Sequence, residues 1–262
     1  MRQHLTSKNI AVLDARSRTA YSRAHIPGAR NADLFHYFVP GTDKKSLTVF
    51  HRDLESKLGR LGLRGNERAI VYESAFGMRA ARVAWLLEYA GMKTPLMLEG
   101  GFRAWKDSRY PVEKRGRVTV PTIFKAHPNP AVLATASYVR SLSTSPTGFV
   151  LDVRSKGEYD GSENRECCPR SGRIPGAVWF EWTNFLSGKG GFQSRQSISK
   201  QLGSMGVRPI SDIAVYCHRG ARAAAAFYAL RSMGYQARNY VGSWHEWSSK
   251  KNLPTERGQA KS

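Results

Sequence analysis

The sequence predicts an α/β chain of two tandem domains, each a parallel β-sheet flanked by helices on both faces. Three observations lead there. The chain has 262 residues, more than the roughly 100 to 200 of a usual single domain, so two separate cores are the first expectation. Four sequence blocks recur in the same order at offsets between 138 and 148, a register that chance similarity does not keep. Within each copy, short apolar runs rich in β-branched residues alternate with segments of helical period, the pattern of a parallel sheet covered by helices.

Taken in chain order, Val12-Leu13-Asp14-Ala15-Arg16 recurs as Val150-Leu151-Asp152-Val153-Arg154, a strand closed by an Asp that hydrogen-bonds its own loop. His25-Ile26-Pro27-Gly28-Ala29 recurs as Arg173-Ile174-Pro175-Gly176-Ala177, where Pro and Gly mark a turn. Ile70-Val71-Tyr72-Glu73 matches Ala214-Val215-Tyr216-Cys217. The first of these leads to a helix over 80–89 with Val83, Leu86 and Leu87 on one face, the second to an Ala-rich helix from about Arg222. Gly91 and Gly234 stand where left-handed C-terminal caps are expected. Last, Gly100-Gly101-Phe102-Arg103-Ala104-Trp105 matches Gly242-Ser243-Trp244-His245-Glu246-Trp247, whose tryptophans read as core or domain-interface residues. Between the copies, 113–134 contains Pro121, Pro128 and Pro130 and loses the alternation. The expected division is therefore a domain over 1–112, a connection over 113–134 and a second domain over 135–262, opening on a helix at 136–142.

Composition narrows the function classes. No apolar run approaches the roughly 20 residues that cross a bilayer, and Met1-Arg2-Gln3-His4-Leu5 lacks the layout of a signal peptide. Three cysteines, without a Cys-x-x-Cys pair, suggest neither a disulfide framework nor zinc. A reducing compartment such as the cytoplasm is expected, an organellar address being left open. The net charge of +21 is divided evenly, with 22 of the 41 basic residues in 1–120. It reads as a solvated basic surface with affinity for small anions, and nucleic acid is not the expected partner.

The chemistry gathers at Tyr216-Cys217-His218-Arg219-Gly220-Ala221-Arg222. A strand, a tight turn and a helix place the Cys217 sulfur at the C-terminal edge of the sheet, where open α/β folds put their sites. Gly220 permits the curvature, and backbone N–H groups at the helix start can form an anion cradle. That field, with Arg219 and Arg222, is expected to depress the thiol pKa. A lone Cys at a strand end is more often buried filler. Here His, Arg and Gly follow it, residues unsuited to burial, and the duplicated first half has Glu73 at the matching place, which cannot carry sulfur. The first domain is therefore expected to be catalytically silent.

Together these blocks resemble the tandem-domain rhodaneses, the thiosulfate and 3-mercaptopyruvate sulfurtransferases, over nearly the whole chain. The resemblance implies a Cys217 thiolate that takes sulfur from a donor and holds it as a persulfide, then passes it to cyanide or another thiol acceptor. The loop residues His218, Arg219, Gly220, Ala221 and Arg222 bind substrate in that scheme, and Arg154 matches the family's substrate-binding Arg. No metal or organic cofactor is implied. His218 and Arg219, as potentially positive groups, favour the thiosulfate dianion, with 3-mercaptopyruvate the alternative. Arg222 stands where the tandem family commonly has Thr or Ser, so it reads either as a further anion ligand or as a solvent-facing residue.

Two other classes compete. A Cys-dependent phosphatase loop needs five residues between Cys and Arg, but position 223 is Ala. A non-catalytic regulatory or interaction module fits the first half better than the second, whose Cys is intact. Cys167-Cys168 reads as an exposed loop with two free thiols; the sharper reading has one of them approach Cys217, to protect it or accept its sulfur. His245-Glu246 begins like a zinc-protease helix, but Ser249 stands where the second His would be.

Overall fold

The structure is a computed structural model and describes residues 9–116 and 118–258; the expectation about Met1–Leu5 lies outside the described residues. The chain divides into two compact units.

In the first, β1 (Ile10–Asp14) pairs in parallel with β3 (Arg68–Tyr72) from Ile10↔Arg68 to Asp14↔Tyr72. Two-residue strands β2 (Arg30–Asn31) and β4 (Leu96–Met97) flank them in the order β2-β1-β3-β4. Ala69 to Tyr72 are all buried, as central strands must be when helices cover both faces. The helices are α1 (Arg18–Arg23), α2 (Lys44–Arg60), α3 (Met78–Tyr89) and α4 (Gly101–Asp107). One apolar face on α3 understated its role, since Ala80–Tyr89 are all buried. Alanines at 80, 81 and 84 let neighbouring elements approach the remaining faces.

The second unit repeats this plan. Thr135 caps α5 (Ala136–Leu142), its hydroxyl accepting from Tyr138 N at 3.2 Å. There follow β5 (Gly148–Asp152), α6 (Lys156–Asp160), β6 (Val178–Trp179) and α7 (Arg195–Ser204). Then come β7 (Asp212–Tyr216), α8 (Ala221–Ser232), β8 (Gln236–Asn239) and α9 (Ser243–Ser249), with strand order β6-β5-β7-β8, all parallel.

The duplication reaches individual hydrogen bonds. The Tyr72 hydroxyl accepts from Ile26 N at 3.1 Å and that of Tyr216 from Ile174 N at 3.2 Å. Tyr21 donates to Ala29 O at 2.8 Å and Tyr159 to Ala177 O at 2.9 Å. The Ile-Pro-Gly-Ala block is thus a turn held at both ends by tyrosines, one from a strand and one from a helix. Trp105 and Trp247 each donate to a proline carbonyl, Pro111 and Pro254, at 2.7 Å.

Three segments depart from the expected division, the shortest being Gly188–Gly191, which groups with the first unit. Residues of the expected connection up to Pro130 group with the first unit, fixed by backbone bonds such as His127 N to Ala90 O at 2.9 Å and Asn129 N to Tyr89 O at 2.8 Å. Phe38–Leu47 groups with the second unit. There Thr42 N and Oγ1 both donate to the Glu246 carboxylate at 2.8 Å, and Thr42 Oγ1 accepts from Ala136 N at 2.8 Å. Among the described residues, no helix is long and apolar enough to cross a membrane.

Candidate active site

β7 ends at Tyr216, and Cys217 opens the turn into α8. The turn's backbone is secured from the β8–α9 segment. Cys217 N donates to Ser243 Oγ at 3.1 Å while that hydroxyl donates to Tyr240 O at 2.7 Å. Trp244 N reaches Cys217 O and His245 N reaches His218 O, both at 3.0 Å. Asn239 Nδ2 donates to Gly220 O at 3.1 Å. To do this Ser243 takes a left-handed φ of 54°. Ser243 lies in a recurrent block, but its role in the turn was not expected from sequence. Its mismatch with Gly101 in the other copy, also at positive φ (57°), was the available signal.

Gly220 is required twice over. Its φ is +77°, and a Cβ there would lie 2.9 Å from Val241 Cα and O. With the turn so held, Gly220 N donates to Cys217 Sγ at 3.1 Å. Although the residues that follow it are unsuited to burial, Cys217 itself is only 1% exposed. The β8–α9 segment packs over the turn, so a donor must enter a cradle to reach the sulfur.

The polar residues of the turn are less uniformly cationic than their letters suggest. Burial, then the charges of Arg165 and Arg219, push the His218 imidazole down to about 3. It is therefore neutral at physiological pH and does not add the positive charge expected of it. The Arg219 guanidinium lies 4.2 Å from the centre of the Phe38 ring, a cation–π arrangement.

Arg222 is neither solvent-facing nor an open anion ligand. Its Nη1 and Nη2 bond Glu158 Oε2 and Oε1 at 2.6 and 2.9 Å, a two-pronged pair. Burial works against the Arg222 charge, but Glu158 and the Cys217 sulfur outweigh it and raise its pKa. Glu158 also closes a capping box with Ser155 on α6 and accepts from Arg165 Nε at 3.1 Å. Sequence reasoning missed Glu158; the Ser-x-x-Glu capping pattern was its only local trace.

Arg154 is 1% exposed. Its Nε and Nη2 bond Asp152 at 2.9 and 2.5 Å, and Nη2 reaches Gly172 O at 2.8 Å. Arg16 makes the corresponding bonds in the first unit, to Asp14 and to Ala24 O at 2.6 Å. The clamp is thus common to both copies, with or without a cysteine nearby.

At the matching place in the first unit, Glu73 Oε1 accepts from Arg79 N and Ala80 N, each at 3.0 Å. The opening N–H groups of α3 hold that carboxylate as a helix start holds an anion. Burial raises the Glu73 pKa against the pull of those two bonds. Gly220 precedes α8 as Gly77 precedes α3, but the turn from Cys217 is one residue shorter than the turn from Glu73, and Gly220 takes a φ of 77° where Gly77 is extended at 170°.

Cys167 is exposed, and its Sγ lies 3.2 Å from His218 Nε2 and 3.9 Å from Cys168 Sγ. Cys168 is buried, and burial above all pushes its thiol up to about 11.

A parallel sheet with a cysteine turn at its C-terminal edge, made twice with the sulfur in one copy only, defines the class. The rhodanese-like domain family matches residues 1–108 and 135–250, and the chain belongs to it. It is 28% identical over 259 residues to the thiosulfate sulfurtransferase of Azotobacter vinelandii, covering 98% of this chain and 94% of that protein. It is likewise 28% identical to the probable 3-mercaptopyruvate sulfurtransferase of Pseudomonas aeruginosa, covering 97% and 94%. A solved structure described as a probable thiosulfate sulfurtransferase superposes with a TM-score of 0.77 at 34% identity, covering 95% and 98%.

Proposed function

We propose that the protein is a thiosulfate sulfurtransferase working through a persulfide on Cys217. The Cys217 thiolate attacks the outer sulfur of thiosulfate; the S–S bond breaks and its electron pair leaves with sulfite. The enzyme keeps a Cys217 persulfide. A thiophilic acceptor such as cyanide then attacks the terminal sulfur, thiocyanate forms, and Cys217 returns as thiolate.

The observation that carries this reading is the carboxylate of Glu73 on the first N–H groups of α3. The related but one-residue-shorter turn in the second copy leads from Cys217 into the start of α8, with a sulfur in place of the built-in carboxylate. Gly220 N–H, already directed at Sγ, would stabilise the negative charge of the persulfide. Arg219 and the N-terminal end of α8 make the cradle electropositive, and Ser243 and Asn239 hold its shape. Arg154 acts here as a positioning residue: by fixing Asp152 and the 172 carbonyl it orders the turn that Tyr216 anchors. The first domain, over 1–112, supplies no nucleophile. The names of the relatives support the same reaction.

One observation favours 3-mercaptopyruvate as a second reading: with His218 neutral and Arg222 paired to Glu158, the turn carries less positive charge than its residues suggest, which suits a monoanionic donor nearly as well. The test is sulfur transfer to cyanide from each donor, measured for wild type and Cys217→Ser. Turnover with thiosulfate that falls to background in Cys217→Ser is expected. Activity surviving in the variant overturns the nucleophile, and a preference for mercaptopyruvate overturns the donor.

A further inference from the structure

Cys167, Cys168 and His218 bring three donor atoms within 4.8 Å of one another. The sequence could not show this, because the imidazole lies 51 positions from the first thiol. Tetrahedral zinc, with Zn–S near 2.3 Å and Zn–N near 2.05 Å, needs S···S and S···N edges of about 3.8 and about 3.5 Å. The two thiols stand 3.9 Å apart and Cys167 Sγ is 3.2 Å from His218 Nε2. These two edges fit the ion with shifts of a few tenths of an ångström. The third, between Cys168 and His218, lies within 4.8 Å and closes to the S···N edge of about 3.5 Å by a side-chain movement of no more than about 1.3 Å.

Both segments that carry the donors are already fixed. Cys168 N bonds Arg165 O at 2.8 Å, and Asn164 Nδ2 bonds Cys168 O at 3.0 Å. Just beyond, Arg170 donates to four carbonyls, of Ser248, Leu253, Trp247 and Lys250, at 2.7 to 2.8 Å. His218 is held by the bond its carbonyl receives from His245. Ordering costs that usually weaken a three-ligand site are thus met by the fold. Exposed Cys167 gives an ion its entry.

We propose that Cys167, Cys168 and His218 form a site for one soft, thiophilic d10 cation such as Zn²⁺, and that its occupancy suppresses sulfur transfer at Cys217. On binding, each thiol gives its proton to solvent and the ion takes two thiolates and one neutral imidazole, leaving a fourth position for water. Two thiolates cancel the ion's charge, so the complex is not repelled by the arginines around it. Because His218 directly follows Cys217, the ion ties the second residue of the sulfur-binding turn to the 167–168 segment and stiffens the cradle a donor must enter.

Binding stands independently of the sulfur-transfer reading; suppression rests on it. The test is equilibrium dialysis of reduced protein against Zn²⁺, with Co²⁺ as a spectroscopic probe, for wild type, Cys167→Ser and Cys217→Ser. One equivalent is expected in wild type and Cys217→Ser, with a thiolate-to-cobalt charge-transfer band, and affinity at least tenfold weaker in Cys167→Ser. Loss of the equivalent in Cys217→Ser, with retention in Cys167→Ser, would put the ion on the nucleophile and overturn the site, as would the absence of stoichiometric binding. Thiosulfate turnover should fall with Zn²⁺ in wild type and resist it in Cys167→Ser. Binding that leaves turnover unchanged overturns the regulatory half alone.

Discussion

Glu158 sets the charge balance of the turn, because a carboxylate on α6 holds an arginine on α8 that would otherwise face the sulfur alone. Burial raises its pKa, but the two bonds from Arg222, with Arg165, outweigh that and hold the carboxyl far below its usual range. A group whose folded pKa is depressed contributes stability that is present above its unfolded pKa, about 4.3 for Glu, and is lost as pH falls toward the folded pKa. Wild type should therefore lose stability steeply below about pH 4.3, and Glu158→Gln should lose less over the same window. At pH 7 the variant leaves a buried guanidinium without its counter-charge and should be less stable by about 3 kcal/mol. Urea midpoints from pH 7 to 3 decide it, and parallel pH curves for the two proteins would refute the pairing. Cys217 was readable from its neighbours and its Glu73 counterpart. Glu158 was not, since its partner lies 64 positions away and helix periodicity says nothing of what a cap residue meets across the fold.

At the scale of elements, the strand-turn-helix from β7 to α8 depends on Gly220. Any Cβ there meets backbone of Val241 rather than the yielding end of a side chain. Gly220→Ala should cost more than about 1 kcal/mol from the positive φ alone, with the clash in addition. It should lower kcat through displacement of the N–H that points at Cys217 Sγ. Denaturant unfolding and steady-state kinetics on the same preparation test both effects, and a variant as stable and active as wild type would show that the turn can open without consequence. The central strands and the helices after them were legible because each carries a continuous apolar run or a helical period. The flanking strands β2, β4 and β6 are two residues long, too short for alternation to register. The stretch 38–43, ahead of α2, has no periodic signal, and its place is set by Thr42 on the carboxylate of Glu246 and by the Phe38 ring against Arg219.

For the whole molecule, duplication made the architecture readable, since four blocks repeated in one order require two sheets built to one plan. It also supplied the internal contrast between Glu73 and Cys217. Charge is the other property of the whole chain. At +21, and with the excess shared by both halves, the field attracts anions from beyond contact distance whatever the detail of the cradle. Between 0.01 and 0.1 M salt the screening length falls from about 30 to about 10 Å, so this attraction weakens while contacts inside a buried cradle do not. If steering assists the donor, kcat/KM for thiosulfate should fall severalfold over that range, with kcat unchanged because the bound complex is shielded from bulk ions. The dianion should lose more than the monoanionic 3-mercaptopyruvate. Chloride is a suitable salt, since sulfate would compete for the cradle itself. A flat kcat/KM would mean that the surface charge has no part in donor capture and that Arg219 with the α8 N–H groups accounts for it alone.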